Sequence, residues 1–131
     1  TEAQLWGKIT DAVTHRGLRP FTASEIAHDL NVHDRVVNNL LNRRKTKPID
    51  VFKMTEDRYF LRSQLLRLVA IADDLAQAQP NGFSAAHYRD ASGLGRNIVI
   101  HILEYFDRLG ITQRLDDLRR MRQNFQNVLG D

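Results

Sequence analysis

Few residues of this chain are arranged to do chemistry on a substrate. Five histidines, His15, His28, His33, His87 and His101, show no HExxH or comparable ligand spacing, so no metal site is expected. No cysteine is present for thiolate ligation or disulfides. Asp73 with Asp74 and Asp116 with Asp117 are paired carboxylates. The first pair falls late on a helical pattern and the second between two strand-like runs, where aspartate serves turns rather than acid–base catalysis. Gly93-Leu94-Gly95 lacks the third glycine of a dinucleotide fingerprint, Ile98 standing in its place, and the Gly-Lys-Ser/Thr of a phosphate-binding loop occurs nowhere. What remains is Gly95-Arg96-Asn97, directly ahead of an apolar run at helical spacing. A helix start presents unpaired N–H groups and the positive end of the dipole. Glycine lets a backbone come close, and Arg96 and Asn97 add donors suited to phosphates or base edges. In the competing reading the glycines merely relieve a tight turn and the arginine is solvated.

The elements that would hold Gly95 in place form a repeat. Phe21 laid over Phe83 aligns FTASEIAHDLNVHDRVVNNLLNRR with FSAAHYRDASGLGRNIVIHILEYF. In each copy a phenylalanine precedes a capping Thr22 or Ser84, and an apolar residue, Ile26 or Tyr88, follows four positions after the cap. That is a hydrophobic staple, and Glu25 completes a capping box in the first copy. Each short helix ends at a turn, Asn31 to His33 and Ser92 to Gly95, before a longer amphipathic helix. The longer helices align Val36, Val37, Leu40 and Leu41 with Ile98, Val99, Ile102 and Leu103 as core stripes. Another helix precedes each pair, LWGKITDAV (5–13) and LLRLVAIADDL (65–75). Strand-like runs follow, IDVFKM with RYFLR and ITQRL with LRRMR, each pair about a polar turn. Three helices and a hairpin, twice over, predict a mainly α fold with small β-hairpins (α+β). The expected domains are two tandem winged helices, 1–62 and 63–131, with 63–79 both opening the second and joining the two.

At 131 residues and 42% hydrophobic the chain is long enough for such a pair, and no apolar run approaches a membrane span. It opens on Thr1 in a helical pattern, which we read as a piece of a longer protein. The net charge is +3; residues 1–62 hold eleven Lys/Arg against eight Asp/Glu, and residues 63–131 hold eight of each. In the second unit the charge that matters is local: Arg96 with a wing carrying Arg114, Arg119, Arg120 and Arg122 predicts a nucleic-acid surface. The outward face of its long helix, Asn97, His101, Glu104, Asp107 and Arg108, puts two carboxylates where a DNA groove would bring phosphates. Contact through the helix start and wing alone suits a folded RNA. The first unit exposes Arg35, Asn38, Asn39, Asn42 and Arg43, with Arg44, Lys45 and Lys47 following. That set fits either a recognition helix or a solvated helix end.

The segment FSAAHYRDASGLGRNIVIHILEYFDRLGITQR, above all ILEYFDRLGITQR with the preceding GLGR, resembles the last winged-helix domain of the bacterial selenocysteine-specific elongation factor SelB. The first unit is similar to the preceding winged-helix domain in architecture. The resemblance implies an RNA-binding region of a cytoplasmic translation factor, with no enzyme activity of its own. It implies a monomer that engages the SECIS hairpin of selenoprotein messenger RNA and tethers the factor at a UGA codon. GTP and Mg²⁺ would belong to GTPase domains outside this chain, and no cofactor to the chain itself. By position, the RNA-binding residues would be Arg89, Gly95, Arg96, Asn97, His101, Arg114, Arg119 and Arg120. From charge alone, Arg35, Arg43, Arg44, Lys45 and Lys47 are expected as contacts to RNA backbone or the ribosome. The alternatives are a tandem winged-helix DNA-binding protein and a winged-helix scaffold for protein partners.

Overall fold

The structure, a computed structural model, describes residues 1–46 and 48–130. It divides into two compact units, Thr1–Leu66 and Arg67–Asp131. The first contains helices α1 (Glu2–His15), α2 (Ala23–Leu30) and α3 (Asp34–Arg44), then strands β1 (Val51–Lys53) and β2 (Tyr59–Leu61). Helix α4 (Arg62–Ala78) follows, then β3 (Phe83–Ser84), α5 (Ala85–Ser92), α6 (Arg96–Leu109), β4 (Thr112–Leu115) and β5 (Leu118–Met121). A 3₁₀ turn spans Phe125–Asn127.

Capping chemistry sets the helix starts. Thr22 Oγ1 accepts from Glu25 N and the Glu25 carboxylate accepts from Thr22 N, the box expected for α2. Ser84 builds the same device at α5, with the His87 ring nitrogen Nδ1 in place of the carboxylate, 2.9 Å from Ser84 N. Helix α1 begins at Glu2, three residues ahead of the expected run, because Thr1 and Gln4 form a further box. Helices α2 and α5 end in left-handed residues, Asn31 (φ 55°) and Gly93 (φ 73°).

The apolar stripes lie inward with one adjustment. Val37, Leu40 and Leu41 are fully buried with Ile9, Val13 and Ile26 in the first unit, whereas Val36 is 40% exposed. At about 100° per residue, Val36 falls at the edge of the stripe the other three define. In the second unit Val99, Ile102, Leu103 and Phe106 are buried and Ile98 is only partly so, for the same reason. Tyr88 is fully buried; its hydroxyl donates to the Leu68 carbonyl at 2.7 Å, and burial pushes that hydroxyl far above the ordinary tyrosine range.

Each wing gains a partner that the sequence pattern did not announce. The second sheet runs β3-β5-β4, all antiparallel, with Phe83 opposite Arg119 and Ser84 opposite Leu118. In the first unit Phe21 bonds Tyr59 in both directions, at 2.9 and 2.8 Å, as a rudimentary third strand beside β1 and β2. The division between units falls at Leu66/Arg67, four residues beyond 62/63. The first turn of α4 is tied into the first unit: Gln64 accepts from Leu61 N and donates to the Gly17 and Arg19 carbonyls, and Arg62 donates to the Ile49 carbonyl.

Gly82 adopts φ +121°, and a Cβ there would lie 2.8 Å from the Leu118 Cβ. Gly82→Ala is therefore expected to lower stability by about 1–3 kcal/mol through strain against β5. Gly7, inside α1 with open space around it, provides the opposite sign: Gly7→Ala should stabilise by about 0.5–1 kcal/mol. Denaturant unfolding of the two variants checks both.

Candidate nucleic-acid interface

Burial of Val99, Ile102, Leu103 and Phe106 rotates α6 so that Arg96, Asn97, His101 and Glu104 are exposed. Gly95 is the N-cap residue, extended at φ −69° and ψ 158°; it has no side chain to cap the helix, and the first turn contains no carboxylate. The N–H groups of that turn thus lack a side-chain acceptor, and Arg96 reinforces their positive field. Ser92 Oγ steadies the approach by accepting from Leu94 N at 3.2 Å.

The matching helix of the first unit is closed. In the repeat alignment His33 and Asp34 occupy the places of Gly95 and Arg96. His33 Nδ1 accepts from Arg35 N at 3.1 Å, and Asp34 puts a carboxylate into the first turn, where it also accepts from Ser24 Oγ. One helix start answers its own dipole with a side chain; the other does not.

Arg89 and Arg96 line one cleft of about 240 Å³ between α5 and α6, floored by Ala85, Ala86, Val99 and Ile100. Arg96 has no partner among the described residues. Arg89 among the described residues meets only Asp90, at 3.9 Å and largely exposed, a contact of little energy. A wider hollow of about 650 Å³ in the first unit is lined by Lys8, Asp11, His15, Arg16 and Asp29 among others. It presents both signs, and its Arg16 is held 2.7 Å from Asp29, which depresses the Asp29 carboxyl below its usual range. That hollow concentrates no charge for a polyanion.

The wing departs from expectation at Arg119. Its side chain is 7% exposed, and its guanidinium forks onto Asp107, with Nη2 at 2.9 Å and Nε at 3.2 Å from both oxygens. Thr112 Oγ1 donates to the same carboxylate at 2.6 Å. Arg119 is therefore a structural residue and not a surface cation, because Asp107 satisfies it internally. Asp107, expected to face outward beside Glu104, is turned inward by the same pair. Arg114 opposes Arg119 across the ribbon, sharing its face, and donates to the Asp116 carbonyl at the tip, 2.8 Å away. Arg120 opposes Gln113 on the other face, exposed and without a partner among the described residues. The arginines of the wing thus do not converge on one side of it.

In the first unit the basic cluster is largely engaged by its own acids. Arg44 lies 4.6 Å over the Trp6 ring, 3.0 Å from Asp50 and 3.7 Å from Glu2, which removes most of it from solvent. Arg43 pairs with Glu2 at 2.8 Å on the surface. Arg35 is exposed, Lys45 is half-buried, and Lys47 lies outside the described residues.

Arg119→Met should cost about 1–3 kcal/mol of stability; the loss stays below that of a fully buried pair because Asp107 is 26% exposed. Arg120→Ala, one residue away, should stay within about 0.5 kcal/mol of the parent. Equal losses in thermal unfolding would contradict the assignment of the two roles.

These features define a class: tandem winged helices with a bare, basic helix start on the second unit. Residues 74–121 match the family described as "Elongation factor SelB, winged helix". The selenocysteine-specific elongation factor of Escherichia coli (strain K12) is 30% identical over 98 residues, which is 75% of this chain and 16% of that protein. Among solved structures, the mRNA-binding domain of E. coli SelB in complex with SECIS RNA is similar with a TM-score of 0.75. It is 26% identical, over 94% of this chain and 98% of that one. A bacterial elongation factor EF-Sec shares the fold alone, with a TM-score of 0.64 at 18% identity, over 88% of this chain and 18% of that one. Residues 74–121 thus carry the SelB winged-helix pattern, and the chain over 94% of its length is similar to the mRNA-binding domain of SelB. No helix among the described residues is long and apolar enough to cross a membrane.

Proposed function

We propose that this chain is an RNA-binding module of a selenocysteine-specific translation elongation factor. It engages a SECIS-type messenger RNA stem-loop and so tethers the factor for UGA recoding. The observation that carries the reading is the open start of α6, where Gly95, Arg96 and Arg89 surround an apolar-floored cleft. Backbone N–H groups and two guanidiniums receive phosphate, and the apolar floor accepts the face of an unstacked base. Asn97 and His101, exposed on the same helix, supply further donors, and Arg120 extends the contact to the wing.

The preference for RNA over DNA rests chiefly on similarity to the SECIS-bound SelB domain. Of the two carboxylates expected to oppose groove insertion, Glu104 remains exposed and Asp107 is neutralised by Arg119. The module acts in the cytoplasm as a monomer, by binding and without a reaction or cofactor of its own. GTP and Mg²⁺ belong to other domains of the factor. In the first unit Arg35 and Lys45 are left to meet RNA backbone or the ribosome.

Fluorescence anisotropy against a panel of stem-loops, including the SECIS RNA of that solved complex, tests the reading. Arg96→Ala should weaken the best stem-loop by about 1–3 kcal/mol with the unfolding midpoint unchanged. Affinity should fall with salt at a log–log slope of roughly 0.7–0.9 per phosphate neutralised. Duplex DNA competing as well as the stem-loop at physiological salt would overturn the reading, and a flat salt dependence would favour a protein partner instead.

A further inference from the structure

Strand β5 reads Leu118-Arg119-Arg120-Met121, followed by Arg122. Side chains alternate across a strand, so one face holds Leu118, Arg120 and Arg122 and the other holds Arg119 and Met121. Each face carries an apolar residue and at least one arginine. Hydrophobicity alone therefore does not choose between the observed register and one slipped by a residue, and a slip would exchange the two faces completely.

The geometry points to Asp107 as the group that makes the choice. Its carboxylate, in the last turn of α6, receives Thr112 Oγ1 at the start of β4 and the fork of Arg119 in the middle of β5. Thr112 and Arg119 are both buried. They lie on the same face of the ribbon, since Thr112 opposes Met121 and Arg114 opposes Arg119. One carboxylate at the end of α6 thus fixes both strands of the wing, and β3 completes the frame through Phe83 opposite Arg119. With Arg119 turned inward, Arg120 is delivered to the exposed face beside Gln113, with Arg122 following on the same side.

Arg119 and Asp107 are positioning residues for the wing. They touch no ligand themselves; they decide which of two neighbouring arginines meets the RNA. This inference rests on the stem-loop reading above.

A double-mutant cycle on the full chain separates positioning from simple stability. Arg120→Ala should weaken binding of the best stem-loop from the panel by about fivefold or more in the native background. In Asp107→Asn the same change should cost less than about twofold, because contacting and positioning groups that act as one unit are not additive. The cross-strand NOEs linking Gln113 with Arg120 and Leu115 with Leu118, measured without RNA, should weaken or move in Asp107→Asn. Arg119→Lys, which keeps the charge without the fork, serves if Asp107→Asn does not fold; it should give an intermediate coupling. Equal losses on Arg120→Ala in both backgrounds, or native NOEs in both variants, would overturn the inference while leaving stem-loop binding standing. Absence of stem-loop binding by the native chain would remove the function and this inference together.

Discussion

A single phenylalanine in each unit joins sheet to helix-turn-helix, and the placement of everything else follows from that junction. Phe83 is fully buried, its backbone pairs with β5, and its ring lies 6.4 Å from Tyr88. Tyr88 in turn meets Phe106 of α6 edge-on at 6.3 Å. The next residue, Ser84, is already the cap of α5. Strand, core and helix start are thus determined by two consecutive residues, with no slack between them. Phe21 and Thr22 repeat the device, with Phe21 6.0 Å from Tyr59. A cleft between α5 and α6 on such a frame is preorganised, which limits the ordering cost that binding would otherwise incur.

The distribution of charge runs against the simple count. Residues 1–66 carry the whole formal excess of +3, eleven Lys/Arg against eight Asp/Glu, while residues 67–131 carry eight of each. Yet the first unit uses Arg16, Arg43 and Arg44 to bind α1 to its neighbours through Asp29, Glu2 and Asp50, and it closes its own recognition-helix start with Asp34. In the second unit one arginine is paired internally with Asp107, and Arg96 and Arg120 are left free among the described residues. Which cations are unpaired, rather than how many there are, marks the candidate interface.

Much of the architecture was legible in the residues. The aligned phenylalanines, caps and apolar stripes foretold two helix-turn-helix units with hairpins, because capping and periodicity are local physics. The third strand was not legible: two residues are too few for an alternation pattern, and Phe83 already had a role as a staple. His87 as a capping partner was hidden because imidazole seldom stands where glutamate or glutamine is sought. Gly95 and Arg96 were readable because their neighbourhood is a helix start. The burial of Arg119 rather than Arg120 was not, since only the approach of Asp107 in three dimensions distinguishes them.

The central claim is that the uncapped start of α6 receives the RNA. Amide chemical-shift mapping of the ¹⁵N-labelled chain on titration with the best-binding stem-loop tests it most directly. The account predicts that the largest shifts fall on Arg96, Asn97 and Ile98, with Arg89 beside them and lesser changes on the wing. Shifts concentrated on α3 of the first unit, with the Arg96–Ile98 amides unmoved, would contradict it.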